Sequence, residues 1–255
     1  MKNFRIVVLD YAKQQVDNPI ANRVLGDMIT SKQRNFVRTD ENYVSLDKHD
    51  MIGTHFLIYE TSDIFNPKMI FALRCTYEQR AKTHKVNLPL QDLAPKLPPD
   101  CKEALDKYRA SHPSLVDCNA WFVEPEYSFK NSGINLSDIG FALVCLQILR
   151  MGHDHFIACT NEKYKAHRWL ANAADFPKNF EFIHPVVPDK HMMILTEKFN
   201  MPFIKSVYEQ HKDLFDNLLE LTPDVPGYKT MPETIKAQFN ITTEKIAPSE
   251  VKKAG

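Results

Sequence analysis

Residues 139–149, IGFALVCLQIL, hold one polar side chain among eleven. A helix apolar on every face is stable only inside a core or a membrane. Eleven residues fall well short of the roughly 20 that cross a bilayer. The chain must therefore surround this segment, a buried helix over 134–152, with layers of its own. The flanking sequence says what those layers are. DCNAWFVEPEY (117–127) before it and DHFIACT (154–160) after it read as strands. Near the start, FRIVVLD (4–10) is rich in β-branched residues and reads as another. Asn18-Pro19 then opens a helix over 17–38, with Ile20, Val24, Leu25, Met28 and Ile29 on one face.

THFLIYET (54–61) and KMIFALRCTY (68–77) form the next two strands, joined by the turn-like SDIFNP. Residues 78–115 carry five prolines and little strand character. They read as an insertion with a short helix at 101–110. Beyond the apolar helix, 161–176 reads as a helix, 180–187 and 191–199 as strands, and 202–221 as an amphipathic helix. The tail from 222 reads as polar and irregular. The order β, α, β, β, insertion, β, α, β, α, β, β predicts an α/β (α+β) fold on a mixed sheet, not a doubly wound parallel one.

Composition narrows the function classes. The 255 residues carry 32 basic and 32 acidic side chains, so the basic excess of a nucleic-acid binder is missing. Five cysteines (Cys75, Cys101, Cys118, Cys145 and Cys159) are scattered without a C-x-x-C pair, which argues against a disulfide scaffold or a zinc site. A reducing, cytoplasmic setting is expected, with no membrane span and no metal. No G-x-S-x-G or G-x-x-x-x-G-K motif is present, which disfavours hydrolase and nucleotide-kinase readings. His153 and His155 are two apart but lack a third ligand nearby in sequence.

The segment WFVEPEYSFKNSGINLSDIGFALVCLQILRMGHDHFIACT resembles the core of GNAT-type acyltransferases. There a strand ending in a V-x-P-x-Y-like turn leads through a phosphate-binding loop into a long helix. Here Val123-Glu124-Pro125-Glu126-Tyr127 is the turn and Lys130-Asn131-Ser132-Gly133 the loop. The usual R-x-x-G-x-G/A pattern is missing. A narrower resemblance is to acyl-homoserine-lactone synthases and N-acyl amino acid synthases. Their D-x-F-D-x-x-x-T-H-Y-L motif is matched by Asp47, Asp50, Thr54, His55 and Leu57. Their R-x-x-x-F corresponds to Lys32 and Phe36, and Arg74 matches an arginine of the third strand. E-x-S-R falls on Asp117, Cys118, Asn119 and Ala120, so its arginine is missing.

The resemblance covers about residues 15–176. It implies a GNAT-like, mostly antiparallel sheet over 1–200, interrupted at 78–115 between the third and fourth strands, with 201–255 as a C-terminal helix and tail. It implies transfer of a fatty acyl group from a coenzyme A or acyl-carrier-protein thioester to the amine of an amino acid or derivative. The thioester is a co-substrate, and no cofactor is held permanently. Alternatives are an acetyl-coenzyme A-dependent N-acetyltransferase, with a pocket closed by Trp121 or Phe122, and a non-catalytic binding protein with a filled sheet.

Such chemistry needs a base for the ammonium, and Asp117 is the candidate. It needs oxyanion donors, expected near Phe122–Glu124. Lys32, Phe36, Asp47, Asp50 and Arg74 are expected to frame the amine, with the aspartates holding either the substrate or Lys32 and Arg74. Val123, Lys130, Asn131 and Gly133 are expected at the donor. Arg150, Lys163, Lys165, His167 and Arg168 form a basic cluster, either a docking face for an acidic carrier protein or plain solvated surface.

Overall fold

Residues Leu136–Arg150 form the helix expected from the apolar run, and all but three of them are buried. The computed structural model describes residues 3–36, 46–178, 180–185, 188–223 and 229–239. The first half contains β1 (Phe4–Asp10), α1 (Pro19–Phe36), α2 (Lys48–Ile52), β2 (Thr54–Glu60), β3 (Lys68–Tyr77), α3 (Glu78–Thr83), α4 (Pro89–Leu93), α5 (Pro99–Ser111) and β4 (Val116–Val123). Then follow α6 (Phe129–Ser132), α7 (Leu136–Arg150), β5 (Ile157–Asn161), α8 (Ala166–Ala173), β6 (Ala174–Asp175), β7 (Glu181–Ile183) and β8 (Lys190–Leu195). The chain closes with β9 (Lys198–Phe199), α9 (Met201–Gln210), α10 (Lys212–Asp216), β10 (Leu219–Leu221) and α11 (Met231–Phe239).

Eight strands form one sheet in the order β10-β1-β2-β3-β4-β5-β8-β7. Only β10–β1 and β4–β5 are parallel. The sheet is therefore mixed and mostly antiparallel. One face carries α7, which packs with α8, α9 and α11 in the largest apolar cluster. A Cβ on Gly140 would stand 2.0 Å from Cζ of Phe71, so glycine is what lets α7 lie this close to β3. The opposite face has two smaller clusters. Ala21, Val24 and Met28 of α1 cover Val7, Leu9 and Leu57, while Leu90, Cys101 and Leu105 cover Ile157, Met193 and Leu195. No helix among the described residues is long and apolar enough to cross a membrane.

Three parts depart from the sequence reading. The 78–115 segment is three helices with a core of its own, not one short helix in a loop. Pro89 and Pro99 open α4 and α5 at a position where proline is tolerated and preset for helix. The expected helix at 202–221 breaks into α9, α10 and β10, and β10 pairs with β1 at the sheet edge. Leu219 and Leu221 alternate as a strand does, although Leu221, three and seven residues after Leu218 and Leu214, also fits a helical stripe. Within the tail expected to be irregular, α11 buries Met231 and Ile235. Residues 240–255 lie outside the described ones.

Candidate active site

Strand β4 pairs with β5 only at Asp117–Ile157 and Cys118–Ala158. Beyond Cys118 the two strands part. On its other side β4 pairs with β3 from Val116 to Val123, interrupted where Ala120 and Trp121 stand opposite the single Leu73. This is a β-bulge, and Ala120 takes a left-handed φ of 54° there. The bulge bends β4 and helps to open the gap.

A cavity of about 220 Å³ lies in the gap, walled by Phe36, Leu73, Trp121, Phe141, Phe156 and Leu170. A second, more polar cleft of about 360 Å³ runs along the sheet face under α4, bordered by Leu90, Asp117 and His184. Asn119, Cys159 and His191 border both. An apolar pocket and this cleft thus meet at one wall.

A buried polar seam separates the two apolar clusters on this face. Asp47 caps α2: its carboxylate accepts from the backbone N–H of His49 (2.7 Å) and Asp50 (3.2 Å), and Asp50 Oδ2 accepts from the Asp47 N–H at 2.9 Å. Lys32 Nζ lies 2.8 and 2.7 Å from the two Asp50 oxygens. Arg74 reaches Asp47 at 2.8 Å and Asp50 at 2.5 Å. Arg74 Nε donates to Asn119 Oδ1 (2.9 Å), and Asn119 Nδ2 donates to Asp117 Oδ1 (3.1 Å). The Leu90 N–H closes the path on Asp117 Oδ2 at 2.7 Å. Lys32, Asp50, Arg74 and Asp117 are each at most 4 % exposed. The paired carboxylates of the 47–50 stretch therefore hold Lys32 and Arg74, and through Arg74 and Asn119 they fix Asp117.

Electrostatics divide the seam. Burial alone would raise Asp50, but Arg74, His55 and Lys32 outweigh it and hold the carboxyl below its usual range. Asp47 is likewise lowered, by the His49 imidazole, Arg74 and Lys32 against burial. Burial, then Arg74, lowers Lys32. His55, whose Nε2 faces the Asp50 carbonyl, is pushed down to about 4 by burial, with Arg74 adding to it. Asp117 goes the other way: burial raises it, and the Leu90 and Asn119 hydrogen bonds only partly offset this. A carboxylate raised in this way takes up a proton more readily.

The expected donor residues sit at the far end of β4. Val123 pairs with Phe71. The Glu124 N–H donates to the Ile70 carbonyl at 2.9 Å, so it does not serve as the expected oxyanion donor. Lys130, Asn131 and Gly133 are exposed, with Asn131 Nδ2 donating to the Pro125 carbonyl and Gly133 ending α6 at φ 72°. At α7, Asn135 Oδ1 accepts the Asp138 N–H, and Asn135 Nδ2 donates to Asp138 Oδ2 at 2.6 Å.

The basic cluster divides. Arg150 is buried and paired with Glu220 at the β10 edge, whereas Lys163, Lys165 and Arg168 border a shallow pocket beside β8. His155 lies between Asp154 and the Ser114 carbonyl, and among the described residues no group of three or more His, Cys, Asp or Glu is placed to hold a metal. The sequence reading missed Asn119 as the bridge to Asp117 and His191 on the shared wall. Alternation in β4 was the available signal for Asn119, since it shares a face with Asp117.

No family model matches the chain, and no curated protein matches it. Solved structures do. A CoA-dependent acyl-homoserine lactone synthase, BjaI, with SAM and isopentyl-CoA superposes with a TM-score of 0.56 at 11% identity, over 94% of this chain and 100% of that one. The chain has the fold of an acyl-homoserine lactone synthase. BjaI with MTA gives 0.55 at 10% identity over the same shares. FeeM, an N-acyl amino acid synthase from uncultured soil microbes, gives 0.45 at 10% identity over 80% of this chain and 94% of that one. On this fold the gap between β4 and β5 opens beside the buried polar seam.

Proposed function

We propose that the chain is an N-acyltransferase of the GNAT type, moving a fatty acyl group from a thioester to the amine of an amino acid or derivative. The observation that carries this reading is the β4–β5 gap, with an apolar pocket on one side of Asn119, Cys159 and His191 and a cleft edged by Asp92, Lys96 and Asp117 on the other. The acyl chain lies in the pocket and the amine arrives through the cleft. The amine nitrogen attacks the carbonyl carbon, the C–N bond forms and the C–S bond breaks. Asp117 takes the amine proton, and the departing thiolate is reprotonated. Asp117 suits the step because its pKa is raised and it borders the cleft. Lys32, Asp47, Asp50 and Arg74 position Asp117 through Asn119, and Phe36 closes the pocket.

An acetyl group would leave this pocket largely empty. Trp121 borders the pocket without filling it, and Phe122 turns to the α1 face, where it meets Phe36 edge-on at 5.9 Å. The open gap likewise disfavours the non-catalytic reading. The donor carrier is coenzyme A or an acyl-carrier protein, for which Lys163, Lys165 and Arg168 offer a basic edge. The free thiols support a cytoplasmic setting.

The test is mass spectrometry of small molecules from cells overproducing the chain, beside Asp117→Asn. New long-chain N-acyl amines that disappear in the variant are expected. New acetylated species alone would favour the acetyltransferase, and no new species would contradict the reading.

A further inference from the structure

When the C–S bond of a thioester breaks, sulfur keeps the electron pair. A bare thiolate beside an apolar pocket is costly, so a proton donor is needed where the pocket meets the cleft. That wall is made of Asn119, Cys159 and His191. Asn119 Nδ2 is already donated to Asp117 Oδ1 at 3.1 Å. Burial pushes the Cys159 thiol up, so it holds its proton tightly.

His191 is different. Its half-buried ring is held by Nδ1, 2.9 Å from the Asp189 carbonyl, which also accepts the His184 N–H at 3.0 Å. The Asp189 carboxylate in turn accepts from Asn161 Nδ2 at 3.0 Å, and Asn161 stands opposite His191 in the β5–β8 pair. A carbonyl only accepts, so Nδ1 carries a hydrogen and Nε2 is the atom that gains or loses a proton. Among the described residues Nε2 has no hydrogen-bond partner. The His184 ring lies 4.6 Å away between centroids, and burial lowers its pKa, with His191 and Lys96 adding to this. Asp92, Lys96 and Asp117 border the cleft, and Tyr164 borders the pocket. Lys190, next in the chain, is paired with Glu162 and Glu181.

We propose that His191 is the proton donor to the departing thiolate, its Nε2–H giving the proton to sulfur as the C–S bond breaks. This rests on the N-acyltransferase reading above. The imidazolium becomes neutral imidazole and takes a new proton from solvent. The proton that Asp117 receives from the amine leaves to solvent, so one proton enters for each that departs.

The experiment compares two thioesters that differ in leaving group, octanoyl-pantetheine and S-phenyl thiooctanoate, with a mixture of the common amino acids and SAM as acceptors. Thiophenol is much the stronger acid, so its thiolate leaves without help. His191→Gln is expected to slow octanoyl-pantetheine turnover by about 100-fold and S-phenyl thiooctanoate turnover by less than about fivefold. In the wild type, kcat on octanoyl-pantetheine relative to S-phenyl thiooctanoate is expected to fall as pH rises through the range where an imidazolium gives up its proton. An equal loss on both thioesters would make His191 a structural residue and overturn the inference, as would no loss on either. If Tyr164→Phe rather than His191→Gln shows the leaving-group-dependent loss, the inference falls while the N-acyltransferase reading stands. If the wild type turns over neither thioester, that reading itself fails and takes the inference with it. Where His191→Gln does not fold, the wild-type ratio decides, and a ratio that stays flat with pH overturns the inference.

Discussion

Strand β4 meets its two neighbours on different terms. Towards β3 it is paired along its length and tied by Arg74 through Asn119. Towards β5 it pairs at two residues and then leaves a pocket walled by apolar side chains. The β3 side is closed and its charged groups are paired, although Thr76 Oγ1 and Tyr77 Oη of β3 are buried without partners. The β5 side is open and leaves Trp121 Nε1 and Thr160 Oγ1 without partners. The buried ion pairs of Arg74 tie β3 and β4 together and leave the opening on the other edge of β4.

The comparison breaks most sharply at Arg74. Arg74→Met leaves Asp50 buried with Lys32 alone and frees Asn119, and it is expected to lower stability by about 3–5 kcal/mol. Urea unfolding measures this, and a loss below about 1 kcal/mol would show that the seam does not brace β4.

Acid probes the same side. His55 is held neutral to about pH 4 in the native chain, while the unfolded chain takes up that proton near pH 6.5. The unfolded state therefore binds more protons between those values, and stability falls as pH drops through that window. The full effect is about 3 kcal/mol at pH 4. Asp47 and Asp50 add a further loss only at lower pH, as they protonate. Asp117 has the opposite sign, since its raised pKa makes the native state the tighter proton binder above the unfolded value. Denaturant midpoints across pH 4–7 should fall towards acid, and His55→Gln should flatten the slope.

Gly140→Ala presses α7 against Phe71 on the closed side and is expected to cost about 1–3 kcal/mol, read as a lower Tm. On the open side Thr160→Val removes an unpartnered hydroxyl at nearly constant shape. Its expected effect on stability is below about 0.5 kcal/mol, in either direction. A large loss there would mean that Thr160 is bonded within the fold and the two sides are less different than proposed.

Much of the closed side was legible in the sequence. The resemblance to the synthase motif, which matched Asp47, Asp50 and His55 with Lys32 and Arg74 before and after them, marked residues that meet in the seam. Asn119 was not legible as a bridge, since an asparagine in a strand carries no sign of its partner. The open side was legible only through the resemblance. Nothing in DCNAWFV announces that β4 pairs twice with β5 and then diverges. The helices over 78–115 were obscured because prolines that start helices look like prolines that prevent them. The three residues of β10 are too few for any period to register.

The central claim is that an acyl thioester occupies the β4–β5 gap. A crystal structure of the chain with octanoyl-pantetheine tests it most directly. The account predicts the octanoyl chain between Leu73, Phe141 and Phe156, with the thioester carbonyl at the wall of Asn119, Cys159 and His191. Ligand bound elsewhere, with side chains of the chain itself filling the gap, would contradict it.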